Sequence, residues 1–86
     1  MKAIRLSRHA DGYREKRGFT QSEVERVIRE APWESADYGP NRFQASREFP
    51  FAATWNRRFY DTKKVRAVFV EEDVEILVIT VYTYYY

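Results

Sequence analysis

"KVRAVFVEEDVEILVITVYTYYY", Lys64 to Tyr86, holds two runs of strand-forming residues on either side of an acidic break. Val, Ile, Thr, Phe and Tyr favour strands because branched and aromatic side chains pack well on a pleated surface, whereas the break at Glu72 and Asp73 suits a turn. The stretch predicts an antiparallel hairpin turning near Glu72 and Asp73, with Arg66 opposite Ile79 or Thr80. Ile76 to Tyr82 is apolar in both of its alternating sets, as in a strand that is central or covered on both faces.

Outward from this hairpin, "FAATWNRRFYD", Phe51 to Asp61, reads as a further strand, with Asn56-Arg57 or Asp61-Thr62 as turn positions. "RFQASREF", Arg42 to Phe49, is a first strand or a partly ordered arm, and "DYGPN", Asp37 to Asn41, is a turn. Before Trp33 the texture is helical. "TQSE", Thr20 to Glu23, is a capping box, with Phe19 placed to staple onto Val24. Val24, Val27, Ile28 and Ala31 then fall on one helical face, and Pro32 closes the helix. An earlier helix is signalled by Leu6, Ala10, Tyr13 and Arg17, with Ser7 as N-cap, Gly12 weakening the middle and Gly18 ending it. The expected fold is a single α+β domain over residues 1–86. In it an N-terminal helical hairpin packs on one face of a three- or four-stranded antiparallel sheet.

Composition narrows the functions. The 86 residues contain no cysteine and one histidine, which excludes a disulfide framework, a thiolate zinc site and a His-rich metal cage, so neither metal nor cofactor is expected. No apolar run is long enough for a membrane span, and "MKAIRLSRHA" lacks the apolar centre of a secretory signal, so a cytoplasmic location is expected. Charge is uneven. Residues 1–66 carry all 15 Lys and Arg against nine Asp and Glu, an excess of six, whereas the remainder carries only acids. A clustered cationic excess attracts polyanions through phosphate neutralisation, although it also serves as a solubilising surface.

"HADGYREKRGFTQSEVERVI", His9 to Ile28, resembles the opening of the domain of unknown function family 4258. There a His-Ala pair begins a helix and a basic pair precedes a Ser/Thr-capped second helix. The terminal hairpin from Lys63 is similar to that family's closing strands, which end in a Val-Thr-Val-Tyr type sequence. The resemblance implies a RelE-like domain, similar to the barnase, colicin and RelE toxins that cleave RNA and occur in microbial toxin-antitoxin pairs. It implies a small antitoxin protein as partner, covering the basic face or adding to the sheet edge.

Metal-free RNA cleavage uses the 2′-hydroxyl as nucleophile, so the protein supplies a base, an acid for the leaving oxygen and cations for the phosphorane. His9, the one imidazole of the chain, suits proton transfer as base or acid. Helical spacing puts Tyr13, Lys16 and Arg17 on its face. On the strands, period two aligns Lys64 with Arg66, facing Thr80 and Tyr82. The candidate catalytic set is therefore His9, Tyr13, Arg17, Lys64, Arg66, Thr80 and Tyr82, with Arg14, Lys16 and Lys63 as further RNA contacts. The second proton-transfer group is Tyr13, Tyr82, Glu15 or a lysine.

Each feature also has a plain structural explanation. His9 serves equally as a helix-start packing residue, Arg14, Lys16 and Arg17 as a solvated last turn favouring the helix dipole, and Lys63 and Lys64 as charges guarding an apolar strand. Trp33, Trp55 and the Tyr84-Tyr85-Tyr86 tail suit a core, an interface or base stacking. The alternative function is a non-catalytic protein-interaction or RNA-binding module on the same fold, its aromatic sheet edge forming a homodimer or docking a partner.

Overall fold

Ser7 decides how the chain begins. In the computed structural model, which describes residues 2–36 and 39–86, Ser7 is extended (φ −64°, ψ 164°) and its hydroxyl accepts from the Ala10 N–H at 3.1 Å. The helix therefore starts at Arg8, and Leu6 falls into a strand instead of the expected helix. That strand is β1, Ala3–Leu6. Helices α1 (Arg8–Gly12) and α2 (Arg14–Arg17) follow, parted at Tyr13 where φ is −99° and ψ 2°. Gly12, the poorest helix former short of proline, stands at this break. Gly18 ends α2 in the left-handed conformation, φ 74°.

The capping box opens α3 (Gln21–Glu30): Thr20 Oγ1 accepts from the Glu23 N–H at 3.1 Å, and the Glu23 carboxylate accepts from the Thr20 N–H at 2.9 Å. Val24, Val27 and Ile28 are buried, as their spacing predicts. Thr20→Ala removes one cap and is expected to lower stability by about 1 kcal/mol in urea unfolding. An unchanged midpoint would show that the box contributes nothing here.

After α3 come β2 (Glu34–Ser35), β3 (Arg42–Trp55), β4 (Arg58–Glu71) and β5 (Glu75–Tyr85). Among the described residues the sheet has five strands in the order β1-β5-β4-β3-β2, and β1 runs parallel to β5 while the other pairs are antiparallel. The expected three or four purely antiparallel strands are corrected in both respects. β1 is four residues long, too short for periodicity to reveal. Its Ile4 and Leu6 pack against the core, and the Ser7 N–H donates to the Val78 carbonyl at 2.9 Å.

The two expected middle strands are one. β3 passes through an irregularity between Pro50 and Ala53, with Ala52 at φ 45°. Proline is tolerated there because β2 covers only Phe43 and Gln44, leaving that stretch of β3 at the sheet edge. Asn56 and Arg57, at φ 49° and 70°, make the tight turn into β4. Of the expected "DYGPN" turn, Asp37 and Tyr38 lie outside the described residues, while Gly39 (φ 132°) and Asn41 (φ 61°) are left-handed.

The helices cover one sheet face, α1 against β5 and α3 against β4 and β3. Between them lie Phe19, Val24, Val27, Val65, Ala67, Phe69, Val78 and Val81, all nearly solvent-free. Trp33 closes one end, its Nε1 donating to the Ile28 carbonyl at 2.8 Å and its ring against Phe43 and Phe69. At the other end Trp55 stacks on Tyr85, centroids 5.1 Å apart. No helix among the described residues is long and apolar enough to cross a membrane.

The register of the final hairpin matters most for the site. Phe69 pairs with Val78 but Val68 pairs with Thr80, so Ile79 is an extra residue in β5. Arg66 stands opposite Tyr82, not Ile79 or Thr80: Glu71 pairs with Ile76, which centres the turn on Asp73 and Val74 and alone would bring Val81 opposite Arg66, and the bulge adds the last residue. The bulge also reverses the alternation of β5. Ile76 and Val78 face the core before it and Val81 after it. Thr80, Tyr82 and Tyr84 are thereby aligned with Val68, Arg66 and Lys64 on the face away from α3.

Candidate functional site

Arg17 sits where the end of α2 meets β5. Its Nη1 donates to the Val81 carbonyl at 2.8 Å and to Thr80 Oγ1 at 3.4 Å. The guanidinium carbon lies 4.0 Å from the Tyr13 ring centroid and 5.2 Å from that of Tyr82. Arg66 approaches the same Tyr82 ring at 4.8 Å, and the exposed His9 ring lies 5.0 Å from Tyr13. His9, Tyr13, Arg17, Tyr82 and Arg66 thus form one continuous line of contacts, with Thr80 beside it. The cation–aromatic contacts stabilise by about 0.5–1 kcal/mol each at exposed sites and fix where the charges stand.

Arg17 is held from behind as well. Its carbonyl accepts from Thr83 Oγ1 at 2.6 Å and from the Tyr85 hydroxyl at 2.9 Å. Burial, which outweighs the Thr83 hydrogen bond, pushes the Tyr85 phenol above its ordinary value, so it stays protonated and able to donate.

Lys64 lies two residues from Arg66 on the same face, opposite Tyr84 on one side and Glu48 on the other. Lys63 does not join it. Period two turns Lys63 to the helix face, where it is 4% exposed and donates to the Glu23 carboxylate at 2.8 Å and to the Gly18 carbonyl. As an RNA contact Lys63 is therefore misplaced; it is a buried tie between β4 and the start of α3. Arg14 is exposed and paired with Asp11 at 2.7 Å, and Lys16 is exposed with its ammonium 5.9 Å from the Tyr13 centroid.

Among the described residues, Arg8, Lys16, Arg17, Arg42, Arg57, Arg58, Lys64 and Arg66 make no ion pair, and of these Arg17, Lys64 and Arg66 lie at the site. Lys2, Arg5, Arg14, Arg26, Arg29, Arg47 and Lys63 each make an ion pair. Among the described residues, no carboxylate lies within ion-pair distance of Arg17, Lys64 or Arg66, and the Arg66 Nε is buried with no acceptor. A buried unsatisfied donor costs about 1–3 kcal/mol.

Two cavities open on this face. One, of about 350 Å³, is bounded by Glu34, Gln44, Ser46, Lys64 and Arg66. The other, of about 440 Å³, is bounded by Arg42, Gln44, Arg66, Val68, Thr80 and Tyr82. Sequence reasoning missed Gln44 and Arg42. The register that sets Gln44 opposite Val68 and Ser46 opposite Arg66 joins strands far apart in the chain, and no local pattern in "RFQASREF" signals it. Among the described residues, no three His, Cys, Asp or Glu side chains converge as a metal centre requires.

No family model, curated protein or solved structure matches this chain.

Proposed function

We propose that the protein is a RelE-like, metal-independent endoribonuclease that binds single-stranded RNA across the helix-free sheet face, as a toxin held in check by a small protein partner. The observation that carries this reading is the pair of arginines, Arg17 and Arg66, on one tyrosine ring, with neither charge neutralised by a carboxylate. Guanidinium groups so placed match the forked geometry of phosphate, and an exposed tyrosine between them offers a base a stacking surface. In the reaction, His9 removes the proton from the 2′-hydroxyl, whose oxygen attacks phosphorus. The 5′-oxygen leaves with a proton from a tyrosine, Tyr13 or Tyr82, giving a cyclic phosphate and a free 5′-hydroxyl. Arg17 and Arg66 stabilise the charge that develops on the phosphorane.

One observation favours binding without chemistry: His9 is exposed, and the aromatic neighbour it has is Tyr13 alone among the described residues. That reading keeps the same face and removes the cleavage step.

Titration of a fluorescent single-stranded RNA at 50 and 200 mM salt tests the common part, with affinity expected to fall steeply as counterions compete. Lys64→Ala and Arg66→Ala should each reduce the slope of log K against log salt by about 1. Equal affinity at both salt concentrations, or none at the lower one, would mark these cations as ordinary surface.

A further inference from the structure

The two cavities on the helix-free face are neighbours. They share two walls, Gln44 and Arg66, and differ in chemistry on either side of them. On the β5 side lie the Tyr82 ring, Val68 and Thr80, an apolar and aromatic surface suited to stacking. On the β2 side lie the Glu34 carboxylate and the Ser46 hydroxyl, groups that read hydrogen-bonding edges. Each volume, about 350 and 440 Å³, is in the range of a small-molecule site.

We infer that these are two nucleoside subsites flanking Arg66, so that the site grips a dinucleotide step of single-stranded RNA with its phosphodiester on Arg66, and that Gln44 is a specificity-determining residue reading a base edge. The inference rests on the RNA-binding reading and adds to it a minimal ligand and a base-reading residue. Arg66 stands at the boundary of the cavities with its Nε lacking an acceptor, a donor that a phosphate oxygen satisfies when the side chain turns toward it. Lys64, two residues along β4 and so about 7 Å away, meets the next phosphate. Gln44 lies diagonally across from Arg66, and its side-chain amide, both donor and acceptor, makes no hydrogen bond with the described residues. Unpaired groups of that kind, aimed between two cavities, discriminate among bases because the edge of each base presents its own order of donors and acceptors. The Glu34 carboxylate, on the β2 wall of that cavity, opposes a phosphate inside it and favours the base there, leaving the backbone to Arg66 and Lys64.

The test uses 2′-O-methyl ligands, which lack the attacking hydroxyl: a nucleoside monophosphate, the sixteen dinucleoside monophosphates and a mixed decamer, titrated into the intact protein by calorimetry. The dinucleoside ligands should bind at least about tenfold more tightly than the monophosphate, since the second subsite adds its own contacts. Gln44→Ala should weaken the preferred dinucleotide by about five- to tenfold and narrow the spread among the sixteen, with an unchanged melting temperature. Binding of the decamer without any gain from mononucleotide to dinucleotide, or Gln44→Ala matching wild type across the set, would overturn the two-subsite inference and leave RNA binding standing. No binding of the decamer at low salt would overturn both.

Discussion

Gly18→Val is expected to lower the stability of the fold by about 2–6 kcal/mol. The residue sits at φ 74°, and a Cβ added there would stand 2.5 Å from Trp55 Cη2, 2.5 Å from the Tyr85 hydroxyl and 2.7 Å from Trp55 Cζ3. The rings it meets are stacked on each other at an interplanar angle of 14°, so neither yields freely. A β-branched residue held in the left-handed region costs about 1–3 kcal/mol, and overpacking of a tight site adds about 1–3 more. Together they approach the roughly 5–10 kcal/mol that holds a domain of this size.

The damage would spread to the site, because the Gly18 carbonyl receives Lys63 and the preceding Arg17 carbonyl receives Tyr85 and Thr83. Gly12 supplies the control. It is exposed, with no atom within 4 Å of an added Cβ, so Gly12→Ala should raise stability by about 0.5 kcal/mol. Urea unfolding of the three proteins decides. A Gly18→Val chain that unfolds at the wild-type midpoint would mean that the Trp55–Tyr85 stack does not rest on the glycine.

His9→Ala should lower RNA cleavage by about 100-fold or more and leave the melting temperature within experimental error. The separation of the two readouts follows from position. His9 is exposed on α1 and touches the Tyr13 ring, so its removal opens no core cavity. A group that moves a proton in the rate-limiting step is worth several powers of ten, whereas a solvent-facing ring contact is worth a fraction of a kcal/mol. Cleavage is to be measured on free RNA and on ribosome-bound message, with EDTA present, since the 2′-hydroxyl mechanism needs no metal. Growth arrest in cells is scored alongside. Equal cleavage and equal arrest by both proteins would remove His9 from the chemistry. RNA binding without cleavage by the wild type in any format would favour the binding-module reading.

What the sequence by itself determined were the features written in neighbouring residues. The capping box at Thr20 and Glu23, the buried stripe Val24, Val27 and Ile28 and the helix end at Gly18 each depend on spacings of a few positions, and each stands in the structure, while the turn expected near Glu72 and Asp73 is there but centred one residue later, on Asp73 and Val74. The proximity of His9 to Tyr13 and of Tyr13 to Arg17 was legible for the same reason, even though the helix breaks at Tyr13. Tertiary structure alone decided the rest. β1 is a strand because β5 offers it a parallel edge and the core offers Ile4 and Leu6 a place, neither visible in a four-residue segment. Lys63 and Lys64 are adjacent in sequence, yet one is buried against Glu23 and the other lines the open cavity. Pairing Arg66 with Tyr82 required the bulge at Ile79, which shifts the register by one residue. In a period-two structure one residue is the difference between the two faces of the sheet, and packing across the whole fold, not the chain's local pattern, sets which face receives each side chain.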